Sequence, residues 1–419
     1  MMPSLPPVYR VRQKTSSDLL RNVPGALTQA VAGSGVLGSI QAGSTVVVAV
    51  GSRGIPNYPT VVQHLTRILQ GAGAEVKILP AMGSHGGGTG PGQVHLLEGL
   101  GITPGSVGAP IVDTMEVEEI GRTRSGIPVL ADKTLLQADG ILLANRVKDH
   151  TDFYGTIQSG LSKMIAVGFG RTRGAAVMHR YAVMHGYDTA ILEMAGLCVE
   201  RLPILAGIAM IDGPAGGTAH LEVVPPNAFE ATEARLLEVA RANALRLPLD
   251  AIDALIVDEI GKDISGTGMD TKTIGRLGTR FVRDPEKPKI VRIFVRDLTD
   301  ATHGNAIGIG LADFTTRRLV EKIDMAATRL NSVTAMTPEK GHIPLTYETD
   351  REALQAMMDT VGPGDPETIR LVWIRGTNRL DELLASPAAV GGMDRSKMEI
   401  VEGPLPVAFD PDGDLIPLW

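Results

Sequence analysis

The sequence predicts an α/β protein of two domains, each built on a mostly parallel sheet. Short β-branched runs alternate with helical patterns along the chain, glycine is abundant at 49 residues, and 43% of the 419 residues are hydrophobic. Strand–helix–strand alternation favours parallel sheets, because a parallel connection needs a crossover that is usually a helix. A chain of this length exceeds one ordinary core, so more than one domain is expected.

The first domain is predicted over residues 1–248. STVVVAVGS (44–52) is typical of a buried strand, and PTVVQHLTRILQGAGA (59–74) then places apolar residues at helical spacing and glycines at its end. Further strand-like runs follow: AEVKILPAMGSH (74–85), ADGILLANRVKDH (138–150) and ILAGIAMIDG (204–213).

A second α/β domain is predicted over residues 249–392. EATEARLLEVARANALRL (230–247) reads as a long amphipathic helix, after which DALIVDEIG (253–261) restarts the strand pattern. That pattern continues in KIVRIFVRD (289–297), NAIGIGLADF (305–314) and IRLVWIRG (369–376). The tail, 393–419, is a candidate to return to the N-terminal domain. The active site is expected in the cleft between the two domains, where ligand sites are common.

Composition narrows the function classes. The formal net charge is −7 and the sequence has no basic tract, which argues against a nucleic-acid partner. Its single cysteine, Cys198, falls in an apolar helical pattern and is expected to be a small buried hydrophobe, so a cysteine-ligated metal site within one chain is excluded. No run reaches the length of a membrane span, and the protein is expected to be soluble and cytoplasmic.

Basic side chains follow several of the predicted strands. Ligands in parallel sheets bind beyond the carboxyl ends of the strands. The loops at those ends read GSRGIPNY (51–58), MGSHGGGTG (82–90), NRVKDHTDFYG (145–155) and DISGTGMDTKTIGR (263–276). His85 and His150 each follow a strand in such a loop and are candidates to project into a cleft. Five others are expected to be surface or capped histidines: His64, His95, His220, His303 and His342. Arg53 could bind a carboxylate with both guanidinium prongs, and Lys272 could act as a point charge.

Two further segments come close to nucleotide-binding motifs without matching them. SGLSKMIAVGFG contains Lys163 among small residues but lacks the spacing of a Walker loop, and GFGRTRGA (168–175) is one residue too long for the dinucleotide fingerprint. By spacing alone, Lys163 is equally compatible with a solvated lysine at a helix start. His179, on the following helical pattern, is equally compatible with a packed histidine.

Taken together, four segments resemble the nickel-dependent lactate racemase family, whose members are nickel-pincer-nucleotide racemases and epimerases of 2-hydroxy acids. They are PAMGSHGGGT, RSGIPVLADKTLLQADGILLANRVKDHTDF, SGLSKMIAVGFGRTRGAAVMH and GTGMDTKTIGR. The resemblance extends over about residues 40–390, and the order of His, His, Lys and His along the chain matches the family's functional set.

The resemblance implies a cofactor and the residues that hold it. The cofactor is nickel in a pincer nucleotide, pyridinium-3-thioamide-5-thiocarboxylic acid mononucleotide. Lys163 matches the lysine that links to it, and Ser159, Gly160 and Lys272 match positions near it. His179 matches the histidine that completes the nickel site.

The resemblance also implies the reaction and its partners. His85 and His150 match the acid and base, and Arg53 matches the arginine that binds the substrate carboxylate. The expected activity is racemisation or epimerisation of a small 2-hydroxy acid by reversible hydride transfer to the covalently bound cofactor. Cofactor-biosynthesis proteins are expected partners, nucleic acid and membrane are not, and the oligomeric state is left open.

Departures from the family pattern keep other activities open. GGG follows His85 where many lactate racemases carry Arg-Pro, and the segment from His150 to Lys163 is a few residues longer. A 2-hydroxy acid other than lactate is therefore at least as well supported. A hydro-lyase or redox enzyme on the same scaffold, or a non-catalytic organic-anion-binding protein, stays an alternative.

Overall fold

The chain folds into two compact units. A computed structural model describes residues 5–15, 18–52, 54–214, 216–279, 282–362 and 365–419. The N-terminal unit is Ser17–Ala244, and the C-terminal unit combines Met1–Ser16 with Leu245–Trp419. Each contains a mostly parallel sheet with helices, which confirms the predicted α/β class.

The strands, in chain order, are β1 Val8–Gln13, β2 Thr45–Val50, β3 Glu75–Pro80, β4 Val117–Arg122, β5 Pro128–Asp132, β6 Gly140–Arg146, β7 Ile204–Asp212, β8 Thr218–Val224, β9 Ala251–Ile260, β10 Lys289–Leu298, β11 Phe314–Thr316, β12 Leu345–Tyr347, β13 Leu371–Ile374, β14 Glu382–Ala385 and β15 Met398–Leu405.

The α-helices are α1 Val23–Ser34, α2 Tyr58–Gly71, α3 Gly90–Gly99, α4 Pro104–Val107, α5 Lys133–Leu136, α6 Gly160–Gly168, α7 Arg171–His185, α8 Tyr187–Arg201, α9 Phe229–Asn243, α10 Arg317–Glu321, α11 Met325–Thr334, α12 Asp350–Met358 and α13 Pro387–Gly391. Short 3-10 turns lie at Val36–Ser39, Gly86–Gly88, Pro226–Ala228, Asp300–Thr302, Ile309–Leu311, Pro338–Gly341 and Pro366–Thr368. Within the described ranges, no helix is long and apolar enough to cross a membrane.

The sheet of the N-terminal unit has the order β3-β2-β6-β7-β8. β2 pairs in parallel with both β3 and β6, and only β8 runs antiparallel to its neighbour. Val46 to Val50 are buried, since helices cover both faces and a parallel strand then needs apolar residues throughout. Because β2, β3 and β6 point the same way, the loops that follow them leave from one edge of the sheet.

The sheet of the C-terminal unit has the order β12-β11-β10-β9-β13-β14-β1-β15. The strands from β9 to β13 pair in parallel, whereas β14, β1 and β15 pair antiparallel. The tail therefore does not return to the N-terminal unit as expected: β15 pairs with β1, and β1 pairs with β14. The first strand of the chain also lies here rather than in a domain spanning 1–248. Strand pairing satisfies backbone hydrogen bonds, but a local pattern does not name the partner strand.

Candidate active site of the N-terminal unit

His85 lies in a glycine-rich loop directly after β3. Gly83, Gly86, Gly87 and Gly88 all have φ between 59° and 69°, a region that other residues rarely adopt. A Cβ on Gly86 would lie 2.6 Å from the backbone of Gly92, so this turn can close only with glycine. The hydroxyl of Ser52, two residues after β2, hydrogen-bonds His85 Nδ1. Proton exchange with a substrate would therefore use Nε2 of His85.

His150 lies in the loop after β6, at the same edge of the sheet. Its backbone N–H donates to Gln158 Oε1 at 2.9 Å, and its Nδ1 accepts from the backbone N–H of Asp152 at 3.0 Å. Since Nδ1 is an acceptor, the neutral imidazole carries its proton on Nε2. The loop thus fixes both the place and the tautomer of His150.

The segment between His150 and Lys163 is held by side chains that bond its backbone. Ser159 Oγ accepts from the N–H of Lys148 and donates to its carbonyl, both at 2.6 Å. The carboxylate of Asp188 accepts from the N–H groups of Thr156 and Ile157, each at 3.0 Å. The added length of this segment is therefore folded against α8 by specific hydrogen bonds.

An aromatic pair gathers three of the predicted residues. Phe153 and Tyr187 are stacked with ring centroids 4.4 Å apart. The His150 ring lies 4.3 Å from Phe153, Lys163 Nζ lies 5.0 Å from the Phe153 centroid, and the His179 ring meets Tyr187 edge-on at 6.2 Å. The structure thus brings His150, Lys163 and His179 around one aromatic stack, of which Phe153 is buried and Tyr187 half-buried. Phe153 and Tyr187 were not among the predicted site residues, although Phe153 lies only three residues after His150.

Burial and a nearby positive charge keep His179 neutral. Burial, followed by the positive charge of Lys163, lowers the pKa of His179, and the charge of Asp152 acts in the opposite direction; together they place that pKa at about 4. Burial, followed by the charge of Asp152, raises the pKa of the Tyr187 hydroxyl. At neutral pH the His179 imidazole therefore presents a lone pair, the form in which histidine binds metals.

Lys163 lies in the first turns of α6, whose start is fixed by a glutamate from α9. The buried carboxylate of Glu233 accepts from the N–H groups of Leu161 and Ser162 and from the Ser162 hydroxyl. Burial raises the pKa of Glu233 more than those hydrogen bonds lower it, and the net pKa is about 7. A carboxylate at a helix N-terminus satisfies exposed N–H donors and complements the helix dipole. The sequence signal for Glu233 was a charged residue on the apolar stripe of α9.

Gly160 has a packing reason of its own. Its φ is 89°, and a Cβ there would lie 2.1 Å from Glu233 Oε1. Its carbonyl accepts from Asn145 Nδ2 at 2.7 Å. Ser159 and Gly160 therefore shape the start of α6, and their predicted contact with a cofactor stays a prediction.

Two predicted residues remain to be placed. Arg53 is outside the described residues. Lys272 belongs to the C-terminal unit, in the loop after β9, beside Asp270, whose N–H donates to Thr377 Oγ1 at 2.9 Å. The roles predicted for Arg53 and Lys272 remain predictions.

The donor set fits a metal that takes one protein ligand here. Within the part of the chain that the structure describes, no three His, Cys, Asp or Glu side chains come together as metal ligands. His179 offers one half-buried, neutral imidazole near the amine of Lys163, and Phe153 offers a flat apolar ring. A three-point cofactor ligand completed by a single imidazole suits square-planar nickel. These residues therefore fit the nickel pincer nucleotide implied by the sequence.

Comparisons with known proteins identify the fold. No protein-family model matches the chain, and no curated protein matches it. The solved lactate racemase apoprotein from Thermoanaerobacterium thermosaccharolyticum is similar, with a TM-score of 0.53 and 12% identity over 88% of this chain and 93% of that one. A structural-genomics protein from Thermotoga maritima has a TM-score of 0.51 and 16% identity over 88% of this chain and 99% of that one. At these identities the comparisons establish a shared fold.

Proposed function

We propose that this chain is an isomerase that racemises or epimerises a 2-hydroxy acid by reversible hydride transfer, using a nickel pincer nucleotide. The main observation in support of the proposal is that His150, Lys163 and His179 lie around the Phe153–Tyr187 stack. The fold shared with a lactate racemase apoprotein supports the same reading.

In this proposal Lys163 links to the cofactor through its amine, and His179 supplies the imidazole ligand of nickel. The group, when bound, supplies an acceptor for the hydrogen on the carbinol carbon. Hydride removal suits a 2-hydroxy acid because the neighbouring carboxylate already carries negative charge and disfavours a carbanion. Arg53 would hold that carboxylate through two parallel hydrogen bonds.

The hydrogen bonds of the two histidines bear on which ring nitrogen of each can exchange a proton with the substrate. His150 carries its proton on Nε2, because Nδ1 accepts from the backbone N–H of Asp152, so its neutral form can donate a hydrogen bond to the substrate oxygen. The partner of His85 Nδ1 is a hydroxyl, which can accept as well as donate. His85 can therefore keep its proton on Nδ1 and take a proton from the substrate at Nε2. A catalyst that accepts both enantiomers needs a base for each, and two histidines in the loops that follow different strands would meet that need.

The first test concerns the cofactor. After co-expression with the cofactor-making proteins, the chain should carry about one nickel per protomer, as a single square-planar site requires. The peptide containing Lys163 should gain the mass of the cofactor. Lys163→Arg should lose both, whereas Lys133→Arg, a surface lysine bound to Glu116, should keep both.

The second test concerns the reaction. Deuterium at carbon 2 of the substrate should be retained in both product enantiomers. His85→Asn and His150→Asn should each slow turnover by about 10²–10⁴-fold, and His95→Asn, at an exposed site, should not. Absence of nickel, adduct and turnover would refute the proposal. A dehydration product would indicate a hydro-lyase, net release of 2-keto acid a redox enzyme, and tight binding without turnover an anion-binding protein.

A further inference from the structure

The segment GFGRTRGA (168–175), which nearly matches the dinucleotide fingerprint, contains the buried Arg171 and packs against the ends of neighbouring strands. We propose that Arg171, Gln93 and Asp132 form a positioning bridge that fixes His85 relative to the helix of His179. The inference rests on the proposed function, because it takes His85 to be the base of that reaction.

Arg171 is the centre of the bridge. Its side chain is 1% exposed. Its Nε donates to Asp132 Oδ2 at 2.6 Å, and its Nη1 donates to the Pro80 carbonyl at 2.6 Å and to Gln93 Oε1 at 2.9 Å. Pro80 is the last residue of β3 and Asp132 the last of β5. One guanidinium therefore joins the ends of two strands to α3.

Gln93 carries the connection to His85. Its Nε2 donates to the carbonyl of Gly83 at 2.8 Å and to that of His85 at 3.4 Å, and its side chain is buried. Arg171 occupies the acceptor oxygen of the Gln93 amide, so the amide has only one orientation that satisfies both ends. The His85 loop is thus bonded, through one buried amide, to the first residue of α7.

The glycines of the motif serve close packing at the same place. A Cβ on Gly168 would lie 2.4 Å from the Ala81 carbonyl oxygen, and one on Gly170 would lie 2.9 Å from that of Leu130. Thr172 Oγ1 adds a hydrogen bond to the Gly88 carbonyl at 3.1 Å. Close packing against β5 and the start of the His85 loop therefore explains why glycine stands at these positions of the motif.

The same helix carries the proposed metal ligand. α7 begins at Arg171, and His179 lies eight residues further, about 12 Å along the helix axis. Anchoring the first residue of α7 to the His85 loop therefore fixes the separation of His85 and His179. A reaction in which a proton and a hydride leave neighbouring atoms needs that separation to be constant.

Stability alone does not account for this arrangement. Burying an ion pair is expensive, and apolar residues of similar volume often serve the fold as well. Arg171 Nη2 is also buried without a hydrogen-bond partner, and Arg171 adopts a φ of 51°, which is unfavourable for a side chain other than glycine. What the bridge supplies, and apolar packing would not, is directional hydrogen bonds to the His85 loop.

The test uses Gln93→Glu and Gln93→Leu with the cofactor-free protein. Glu keeps an acceptor for Arg171 but turns a second oxygen toward the carbonyls of Gly83 and His85, while Leu removes both bonds. We expect the imidazole 15N shifts of His85 to move in both variants, and more in the glutamate, with a changed ratio of its two tautomers. The shifts are read by NMR of the histidine-labelled protein and assigned with His85→Asn. Gln70→Leu, which removes an exposed bond to the Gly108 carbonyl, should leave them unchanged.

With loaded enzyme, the Gln93 variants should lower kcat by about 10²-fold, the effect of a small misplacement of a catalytic group, and leave KM near the wild-type value. If the Gln93 variants fail to fold, Arg171→Lys replaces them in the experiment. It keeps a cation beside Asp132, and its His85 shifts should lie nearer to those of the wild type than a loss of the whole bridge would place them. Unchanged His85 shifts in folded Gln93 variants, with only a lower melting temperature, would overturn the proposal. That result is independent of turnover, so an inactive wild-type protein would refute the proposed function without deciding this one.

Discussion

Both units contain buried charged side chains, but these side chains bond different parts of the chain. In the N-terminal unit, Arg171 with Asp132 and the carboxylate of Glu233 bond the backbone beside His85 and Lys163. In the C-terminal unit, a largely buried network has Arg296 between Asp258 and Asp350, and it bonds the tail.

The C-terminal network holds the tail. Asp350 accepts from the Leu415 N–H at 2.9 Å, and Asp258 accepts from Trp419 Nε1 at 2.6 Å. Trp419 also packs edge-on against the buried Trp373, with ring centroids 6.1 Å apart. A buried ion pair by itself therefore does not identify a functional site. What distinguishes the two networks is the set of groups that the ion pair bonds in addition. In the N-terminal unit these groups lie beside candidate catalytic residues, and in the C-terminal unit they lie in the tail.

The largest effect is expected for Asp350→Asn. The fully buried Asp350 carboxylate accepts from Arg296, Arg318 and Leu415, so the amide leaves two guanidinium groups poorly paired. The free energy of unfolding should fall by about 3–5 kcal/mol, the usual result of breaking a buried pair. Urea unfolding measures this loss, and the His85 NMR shifts should stay at their wild-type positions.

Arg317→Ala is the matched control in the same unit. Arg317 pairs with Glu348 through Nε at 2.6 Å, but both side chains are exposed, so no measurable change in the urea midpoint is expected. An equal loss for Asp350→Asn and Arg317→Ala would break the comparison, because burial would then not decide the contribution of the pair.

A pH-dependent effect of intermediate size is expected at Glu233. Its pKa is raised from 4.5 to about 7, so the folded state binds the proton more tightly than the unfolded state does. The free energy of unfolding contributed by this group therefore falls as pH rises through that interval, by about 3 kcal/mol in total. Glu233→Gln cannot titrate. Its stability relative to wild type should thus increase by about that amount between pH 5 and pH 8.

The control for this prediction is on the same helix. Glu230→Gln changes an exposed glutamate of α9 and should leave the pH dependence as in wild type. Urea unfolding of the three proteins at several pH values gives the comparison. A difference between wild type and Glu233→Gln that does not change with pH would show that Glu233 is already ionised throughout.

The fold class and the position of the site loops could be predicted from the sequence, because they depend on local patterns. Alternation of β-branched runs with helices predicts parallel sheets, and His85 and His150 follow strands whose carboxyl ends lie at one edge. The pairing of β15 with β1 could not be predicted in the same way. Those strands lie far apart in the chain, and either could form its backbone hydrogen bonds equally well at the edge of another sheet.

The partners of the candidate site residues were also beyond local patterns. Tyr187, which reaches His179, and Glu233, which fixes the helix of Lys163, come from α8 and α9. Nothing in their sequence neighbourhoods names the side chain that each contacts, because tertiary packing sets those contacts. The segment GFGRTRGA fails the dinucleotide fingerprint, and its glycines instead permit close packing against the backbone just after β3 and within β5.

The smallest effect is expected at Tyr58, a neutral residue that fixes the same edge of the N-terminal sheet. The buried Tyr58 hydroxyl donates to the Ala144 carbonyl and accepts from the Gly51 N–H, both at 2.7 Å. It thus ties the end of β6 to the residue before Ser52. Tyr58→Phe leaves both backbone groups without this partner and should cost about 2 kcal/mol of unfolding free energy.

The control is Tyr9→Phe at a half-buried tyrosine of β1, which should cost less unfolding free energy. If Tyr58→Phe also moves the His85 shifts, the site edge is held by neutral bonds as well as by buried charge. Unmoved shifts would leave the Arg171 bridge as the main restraint on His85.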